Sequence, residues 1–394
     1  MDLATFHRLQ SPAGAALLDR VAAAGPLDDA ATLALGTELR RTVDPDLAAA
    51  AITTARLRQR AVAKFGPPAA GMWFTPDGLE QATHPTVAAH RAARLARALG
   101  PGATVLDLCC GIGSDLLAAA AAGLRATGVE LDPVVAAAAR LNTADRAVIE
   151  NGDATTRALD AAAVFVDPAR RGARGRVFDP AAYVPPWSFV TGLLTAGRPA
   201  AAKVAPGIGH SAVPADVEIE WVSLPDGVKE AALYAGALST GVRRRASLLP
   251  GGHTLAAAGP DTADEPPPVG AVGRWLHEPD GAVIRAHLVG ALAAEVDGRL
   301  VDPRIAYLTT DAAVATPFAR SYEVLDVLPT KTARLRAALR ERGVGTLTIK
   351  KRGLAIVPDQ LRGELLAGAT GDAAATIVLT RVAGKAITLL VRPV

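Results

Sequence analysis

Residues 105–115, with the sequence VLDLCCGIGSD, restrict the possible folds of this chain more than any other stretch does. Val105 and Leu106 begin an apolar run that suits a strand buried in a parallel sheet. Gly111 and Gly113 allow positive φ angles and a close approach of the backbone, which a side chain would block. A helix is expected next, and the first N–H groups of a helix are free to bind a ligand. The stretch therefore predicts a strand, a glycine turn and a helix beside a nucleotide-like cofactor.

The spacing after the turn indicates which cofactor it would hold. A dinucleotide fingerprint needs a third glycine at the position of Leu116, so NAD is the weaker interpretation. The next apolar run ends at Glu130, nineteen residues after Gly111. At that position a carboxylate can accept hydrogen bonds from both hydroxyls of a ribose. A ribose site without a pyrophosphate site favours S-adenosylmethionine.

Further acidic residues follow two later apolar runs. Asp153 comes after the run VIEN, and Asp167 with Pro168 follows the run AAVFV. Ligands of open α/β sheets bind at the carboxyl ends of the strands. We therefore expect Asp153 and Asp167 to converge with Asp107 and Glu130 on one crevice.

Length and composition favour a globular protein of the cytoplasm. With 394 residues, half of them hydrophobic, the chain is long enough for two or three cores. No apolar run reaches the roughly 18 residues that span a bilayer, and the N-terminus MDLATFHRLQ lacks the apolar region of a signal peptide. Cys109 and Cys110 are the only cysteines, and adjacent cysteines are poorly placed for an ordinary structural disulfide. Both are expected to fill space beside the glycine turn.

Basic residues are concentrated near the C-terminus. Residues 331–394 contain twelve Lys and Arg but four Asp and Glu, a net charge of +8, whereas the whole chain carries +3. A basic segment attached to a near-neutral remainder favours a polyanionic partner.

Sequence patterns divide the chain into five segments. Residues 1–98 have apolar residues at helical spacing and predict a helical N-terminal domain. Residues 99–250 alternate strand and helix patterns, which predicts a doubly wound, Rossmann-like parallel α/β sheet. Residues 251–270 are rich in Pro and Gly and are interpreted as a flexible linker. Residues 271–330 are a connecting α/β segment, and residues 331–394 a small basic α+β domain that ends in a hairpin.

The glycines and acidic residues together resemble the class I S-adenosylmethionine-dependent methyltransferases. The resemblance implies that Asp107, Gly111 and Gly113 contact the methionine part of the cofactor. It also implies that Glu130 binds the ribose and that Asp153 binds the adenine amino group. The neighbouring residues expected at the same cofactor site are Cys109, Asp115, Leu131 and Ala154.

Asp167 and Pro168 match the catalytic motif that faces the methyl acceptor in these enzymes. Enzymes that methylate exocyclic base nitrogens have a second proline and an aromatic residue next, where this chain has Ala169 and Arg170. Adenine N6 is therefore disfavoured as the acceptor. Arginine binds phosphate in a bidentate manner or stacks on a base, which favours a nucleic-acid substrate. The expected substrate contacts are Arg170, Arg171, Lys350, Lys351 and Arg352.

A second resemblance covers roughly residues 70–394. The stretches LEQATHPTVAAHRAAR, VDPARRG, EPDGAVIRA, DPRIAYLT and GVGTLTIKKRG are similar to bacterial methyltransferases with a C-terminal THUMP-like domain. True THUMP domains accompany RNA-modifying enzymes, so this resemblance implies tRNA or rRNA as a partner by analogy.

The sequence predicts an S-adenosylmethionine-dependent methyltransferase that acts on a nitrogen or oxygen of RNA. The alternatives are a small-molecule or protein acceptor, or an RNA-binding protein without catalysis. His84 or His90 is conceivable as a general base, and the pattern does not decide between a catalytic and a structural role. No cluster has the spacing of metal ligands, so no metal is expected.

Overall fold

The computed structural model describes residues 1–170, 182–257 and 266–394. These residues form two compact units, Met1–Val217 with Ala232–Thr240 (unit 1) and Glu218–Ala231 with Gly241–Val394 (unit 2). Unit 1 contains both the predicted helical domain and most of the predicted sheet. The two therefore form one compact unit and not two domains that meet at residue 98. The border predicted at residue 250 also differs, because the chain first enters unit 2 at Glu218.

The first hundred residues of unit 1 are helical, because local signals start each helix. Asp2, Ser11, Asp28 and Asp44 each accept a hydrogen bond from a backbone N–H in the first turn of the helix that follows. Leu9 and Leu39 are among the buried residues of the shared core. The helices are α1 (Leu3–Gln10), α2 (Pro12–Ala23), α3 (Asp29–Leu39), α4 (Pro45–Phe65), α5 (Pro76–Gln81) and α6 (Pro85–Leu99).

The predicted doubly wound sheet occupies the rest of unit 1. Its elements are β1 (Thr104–Asp107), α7 (Ser114–Ala121), β2 (Arg125–Glu130), α8 (Pro133–Thr143), β3 (Ala147–Asn151), β4 (Ala163–Val166), β5 (Ala169–Arg170), β6 (Tyr183–Val184), α9 (Trp187–Thr195) and β7 (Ala200–Val204). Five strands pair in parallel in the order β3-β2-β1-β4-β7. Val105 and Phe165 of the sheet share one core with Leu116 of α7 and Ala139 of α8. The α/β prediction is therefore confirmed.

The next four strands differ in part from the prediction. They are β8 (Glu218–Leu224), β9 (Gly227–Ala235), β10 (Arg244–Leu248) and β11 (His253–Ala257). Two residues join β8 to β9, and such a short connection makes the strands antiparallel. β11 pairs antiparallel with β10, so residues 253–257 are not linker, contrary to the prediction. β11 is an edge strand with mostly exposed or half-exposed residues, which explains why its sequence lacks a buried-strand pattern.

A seven-stranded sheet forms the rest of unit 2, in the order β13-β14-β12-β15-β18-β17-β16. Its elements are β12 (Trp275–Pro279), α10 (Gly281–Arg285), α11 (Val289–Glu295), β13 (Arg299–Asp302), β14 (Ile305–Thr310), β15 (Ala319–Leu328), α12 (Thr332–Glu341), β16 (Val344–Lys351), α13 (Pro358–Leu366), β17 (Ala373–Val382) and β18 (Lys385–Pro393). The predicted hairpin turns at Ala383 and Gly384, with φ angles of 46° and 79°. β18 also pairs with β15, so the segment 331–394 does not form a sheet of its own.

Candidate active site

A cavity of about 450 Å³ lies beside the glycine turn in unit 1. The cavity is lined by the turn with the start of α7, by residues at or just after the ends of β2 and β4, and by the segment 74–83, which contains α5. Residues of α4, α8 and the N-terminus complete the lining. The lining residues used below are Thr75, Gly78, Gln81, Thr83, Cys109, Gly111, Ile112, Asp115, Glu130, Asp132 and Asp167. The carboxyl ends of β2 and β4 thus meet at one crevice, which Glu130 and Asp167 line and which Asp107 and Asp153 do not.

The glycine turn has the backbone geometry that its sequence predicts. Gly111 has a φ of 54°, and Gly113 has a φ of 87° and begins α7. A Cβ atom on Gly113 would lie 3.0 Å from Cγ2 of Thr143 on α8, so the turn packs closely against that helix. Side chains at these two positions would be strained, and both glycines are required for the shape of the turn.

Glu130 holds the turn from the end of β2. Its Oε2 accepts a hydrogen bond from the Gly111 amide at 3.1 Å, and its Oε1 accepts one from the Asp132 amide at 2.9 Å. Burial raises the pKa of the Glu130 carboxyl. Each carboxylate oxygen can accept a second hydrogen bond, so Glu130 is fixed in place and can still bind hydroxyl groups in the cavity.

Asp107 and Asp115 lie at different depths below the turn. Asp107 is only 2% exposed, lies outside the lining of the cavity, and accepts a hydrogen bond from the Cys109 amide at 3.2 Å. Burial, and next the Asp115 charge, raise its pKa well above the ordinary range. Asp115 does line the cavity and forms an ion pair with Arg91 of α6. Asp107 therefore supports the turn from beneath, while Asp115 reaches the cavity.

The sequence patterns did not identify Arg91 as a residue of this site. Its side chain is 4% exposed and its guanidinium lies 4.6 Å from the ring centroid of Phe165. The signal was its spacing: Arg91 lies four residues from both Val87 and Leu95, on the apolar face of the predicted helix. A buried arginine needs an anion, and Asp115 at the start of α7 provides it.

The remaining predicted cofactor residues lie elsewhere. Leu131 is 61% exposed, Ala154 is buried, and Asp153 is exposed. The Asp153 carboxylate accepts hydrogen bonds from the amide and the hydroxyl of Thr155, both at 2.8 Å, and the backbone bond lowers its pKa. None of the three lines the cavity formed by the described residues.

The two cysteines have different positions beside the turn. Cys109 lines the cavity, whereas Cys110 is buried against Gly128 of β2. A Cβ atom on Gly128 would lie 2.7 Å from Sγ of Cys110. Burial raises the pKa of both thiols. Both therefore stay protonated at neutral pH and act as small packing groups.

Asp167 is joined to a residue that sequence reasoning missed. Its Oδ2 lies 2.6 Å from Nζ of Lys203 on β7. Burial raises the pKa of Asp167, and the Lys203 charge opposes that shift. The signal for Lys203 was a single lysine inside the apolar strand AAAKV. Pro168, the other predicted catalytic residue, is buried and outside the cavity lining.

The segment 74–83 forms a wall that the sequence did not predict. Thr75 caps α5 by accepting a hydrogen bond from the Gly78 amide at 3.0 Å. A Cβ atom on Gly78 would lie 2.7 Å from Cγ2 of Ile112, so α5 rests directly on the glycine turn. Lys64 of α4 donates hydrogen bonds to carbonyl groups at and after the end of α5, those of Leu79, Glu80 and Ala82.

Thr83 and His84 precede α6, and His90 lies within it. His84 caps α6, because its Nδ1 accepts a hydrogen bond from the Thr86 amide at 3.2 Å. Thr83 is 4% exposed and accepts a hydrogen bond from Lys203. His84 and His90 both lie outside the cavity lining.

The predicted substrate contacts do not form one patch. Arg171 lies outside the described residues, as does the side chain of Arg170. In unit 2, Lys350 and Arg352 line a cavity of about 530 Å³, and Lys350 pairs with Glu278 at 3.2 Å. Lys351 is exposed outside that lining, because successive strand residues face opposite sides of a sheet.

Among the described residues, no group of three His, Cys, Asp or Glu side chains is arranged to hold a metal ion. The helices in that part of the chain are too short or too polar to cross a membrane.

Comparisons with known proteins identify relatives of the whole chain and of its parts. Residues 319–393 match the family described as THUMP domain-like, and residues 2–61 match a domain of unknown function. Two Mycobacterium tuberculosis proteins, from strains CDC 1551 and H37Rv, are each 38% identical over 343 residues, which is 84% of this chain and 92% of theirs. Both are named uncharacterized S-adenosylmethionine-dependent methyltransferase.

A solved structure shares the fold. The crystal structure of a protein from Porphyromonas gingivalis W83 that is named as a methyltransferase has a TM-score of 0.74, at 22% identity, and the match covers 93% of this chain and 99% of that one. The THUMP domain-like match contains β15, β18, β17 and β16, which are four adjacent strands of the second sheet.

Proposed function

This chain belongs to the S-adenosylmethionine-dependent methyltransferases, and we propose that it methylates a nitrogen or oxygen atom of RNA. The cofactor, when bound, supplies a methyl group attached to a positively charged sulfur. Five carboxylates line the cavity beside the glycine turn, among them those of Asp115, Glu130 and Asp167. Anionic side chains favour a cationic group, and oxygen acceptors favour ribose hydroxyls, so the cavity is chemically suited to this cofactor.

We assign the cofactor contacts from this geometry. Glu130 binds the ribose hydroxyls, because it lines the cavity and backbone amides fix its two oxygens. Gly111 and Gly113 let the backbone approach the methionine part, and Asp107 keeps the turn in shape from below. Asp153 remains our proposal for the adenine amino group, at a place beyond the cavity lining.

Asp167 is our proposal for the residue that orients the acceptor. Methyl transfer is an in-line displacement, so alignment of the acceptor with the methyl group carries much of the rate. A carboxylate at the cavity wall can accept a hydrogen bond from the N–H or O–H group of the methyl acceptor. This bond keeps the lone pair of the acceptor nitrogen or oxygen directed at the methyl group.

Exposed basic residues in the THUMP domain-like segment are the observation that carries the RNA proposal. Lys331, Arg334, Lys351 and Lys385 are exposed, and none forms an ion pair within the part of the chain that the structure describes. Cations without a protein partner are available to phosphate groups, which bind them with release of counterions. The two adjacent free cysteines agree with a cytoplasmic location, which we include in the proposal.

RNA binding is tested by charge reversal in matched variants. Lys331→Glu/Arg334→Glu/Lys351→Glu should weaken binding of total tRNA and rRNA strongly and flatten its salt dependence, measured by fluorescence anisotropy between about 50 and 300 mM salt. Arg40→Glu/Arg41→Glu/Arg60→Glu changes the net charge equally at exposed positions in and between the N-terminal helices and is the control. Equal losses in both variants would contradict a binding surface in the THUMP domain-like segment.

The acceptor is tested by mass spectrometry of nucleosides from cells that lack the protein. A single missing methylated nucleoside in tRNA or rRNA, restored by the purified enzyme with S-adenosylmethionine, is the expected result. Unchanged RNA together with methyl incorporation into protein or small molecules would replace RNA with another acceptor class. RNA binding without any methyl transfer would indicate a non-catalytic protein.

A further inference from the structure

We propose that Lys203 is a positioning residue that keeps Asp167 ionised and directed at the methyl acceptor. The proposal deepens the function above and rests on it, since it takes Asp167 as the residue that meets the acceptor. None of the sequence motifs includes Lys203, and the contact is visible only in the folded chain. The two side chains form an ion pair at 2.6 Å in which Lys203 is 15% and Asp167 27% exposed.

The sheet places these two residues beside each other. β4 and β7 are adjacent parallel strands, and Val166 is the register partner of Ala202. Asp167 follows Val166 just past the end of β4, and Lys203 follows Ala202 inside β7, so the two residues lie at the same level near the carboxyl edge of the sheet. Parallel pairing therefore determines the contact, without any loop rearrangement.

Lys203 also binds the wall formed by the segment 74–83. Its Nζ donates hydrogen bonds to the Gln81 carbonyl and to Oγ1 of Thr83, both at 3.1 Å. Gln81, Thr83 and Asp167 all line the cavity. One ammonium group therefore connects the acidic residue to the opposite wall and fixes the direction of its carboxylate.

The surrounding charges make Asp167 dependent on this lysine. Asp115 and Asp107 disfavour its ionised form, and Arg91, which is paired with Asp115, favours it. Among the described residues, the cation that hydrogen-bonds Asp167 is Lys203. An opposite charge at this distance typically lowers a carboxyl pKa by about 1 to 3 units, so its loss favours the neutral acid.

An ionised carboxylate is the form that the transfer requires. The acceptor nitrogen or oxygen forms one new bond to carbon and gives up one proton, while the sulfur retains the electron pair of the bond that breaks. Ionised Asp167 accepts the hydrogen bond from that N–H or O–H and can take the proton before water removes it. Protonated Asp167 would instead donate a hydrogen bond to the acceptor nitrogen or oxygen, and the lone pair of that atom would then point away from the methyl group.

The first test measures the ionisation of Asp167 without any substrate. ¹³C-labelled aspartate in the full chain is titrated by NMR, and the Asp167 signal is identified by its absence in Asp167→Asn. Lys203→Met should raise the pKa of Asp167 by about one unit or more, and Lys203→Arg should raise it less, because the charge is kept. Lys64→Met, which removes a lysine bound to the same wall but not to Asp167, should leave that pKa in place. An unchanged pKa in Lys203→Met would overturn the proposal.

The second test measures methyl transfer to RNA from cells that lack the protein, as a function of pH. Activity should fall as the pH drops through the pKa of Asp167, and this acid limb should move upward by about one unit in Lys203→Met but not in Lys64→Met. A lower rate with an unmoved acid limb would mean that Lys203 acts only through stability. Absence of transfer in the unmodified protein would refute the RNA acceptor, whereas the NMR titration would still decide the role of Lys203.

Discussion

The carboxylate of Glu130 accepts a hydrogen bond from the backbone amide of Gly111, nineteen residues earlier, at 3.1 Å. This bond joins the end of β2 to the glycine turn after β1. The shape of the turn thus depends on the same carboxylate that we propose for the ribose hydroxyls. Changes at either residue should affect cofactor binding before they affect the fold.

Glu130→Gln should weaken S-adenosylmethionine binding by about 10- to 100-fold, because hydrogen bonds to a charged acceptor contribute roughly 1.5 to 3 kcal/mol. The glutamine amide also places a donor against one of the two backbone amides. Isothermal calorimetry measures the change. Glu150→Gln removes the same charge from the adjacent strand β3, outside the cavity lining, and is the control. Equal affinities for the two variants would refute the assigned ribose contact.

Asp107→Asn should stabilise the protein more at pH 8 than at pH 5. The folded-state pKa of Asp107 lies well above the unfolded value of 3.8, so ionisation costs stability as the pH rises through the folded pKa. The amide keeps an oxygen for the Cys109 N–H and removes that cost, and Arg91 still pairs with Asp115. Thermal unfolding at both pH values gives the difference. A larger gain at pH 5 would show that Asp107 is ionised and favourably paired in the fold.

Arg91→Met should destabilise the protein by about 3 kcal/mol, because it leaves the Asp115 charge without its buried partner. The double variant Arg91→Met/Asp115→Asn should lose less than the sum of the two single losses, with a coupling of roughly 1 to 3 kcal/mol. Chemical denaturation measures each free energy of unfolding. Arg56→Met breaks an exposed ion pair with Asp29 and should cost under about 1 kcal/mol. Additive losses in the double variant would mean that the pair contributes no specific coupling.

Gly78→Ala should reduce S-adenosylmethionine affinity although alanine is the better helix former by about 1 kcal/mol. Its Cβ would lie 2.7 Å from both Cγ2 of Ile112 and Oγ1 of Thr75, so α5 must move away from the glycine turn. Gly192→Ala in α9 meets nothing within 4 Å and should instead raise the melting temperature. Calorimetry and thermal unfolding of both variants test this. Unchanged affinity in Gly78→Ala would mean that the wall does not shape the cofactor cavity.

The sequence predicted those features of the site that depend on short stretches of neighbouring residues. The strand, the glycine turn and Glu130 follow from short patterns, because each acidic residue lies at or just past the end of an apolar run. Lys203 could not be found in this way. Its partners Asp167 and Thr83 are 36 and 120 residues distant along the chain, and only strand pairing and the packing of α5 bring them together.

Edge strands and alternating faces account for the other differences. β11 pairs on one side only and exposes most of its residues, so its composition is that of a loop. Lys350, Lys351 and Arg352 form one basic cluster in the sequence but alternate between two faces in space. A run of like charges in the sequence therefore does not define a single contact surface in the folded chain.

Residues 319–393, which match the THUMP domain-like family as one segment, contain the four adjacent strands β15-β18-β17-β16. A gene fragment with these bounds encodes four strands that are already paired with one another and joins the rest of the sheet along β15 alone, next to β12. A fragment that began at residue 331 would instead lack β15 and leave one side of β18 without its pairing strand. Fusion or exchange of this segment between proteins should therefore succeed when the junction precedes β15 and fail when it follows it.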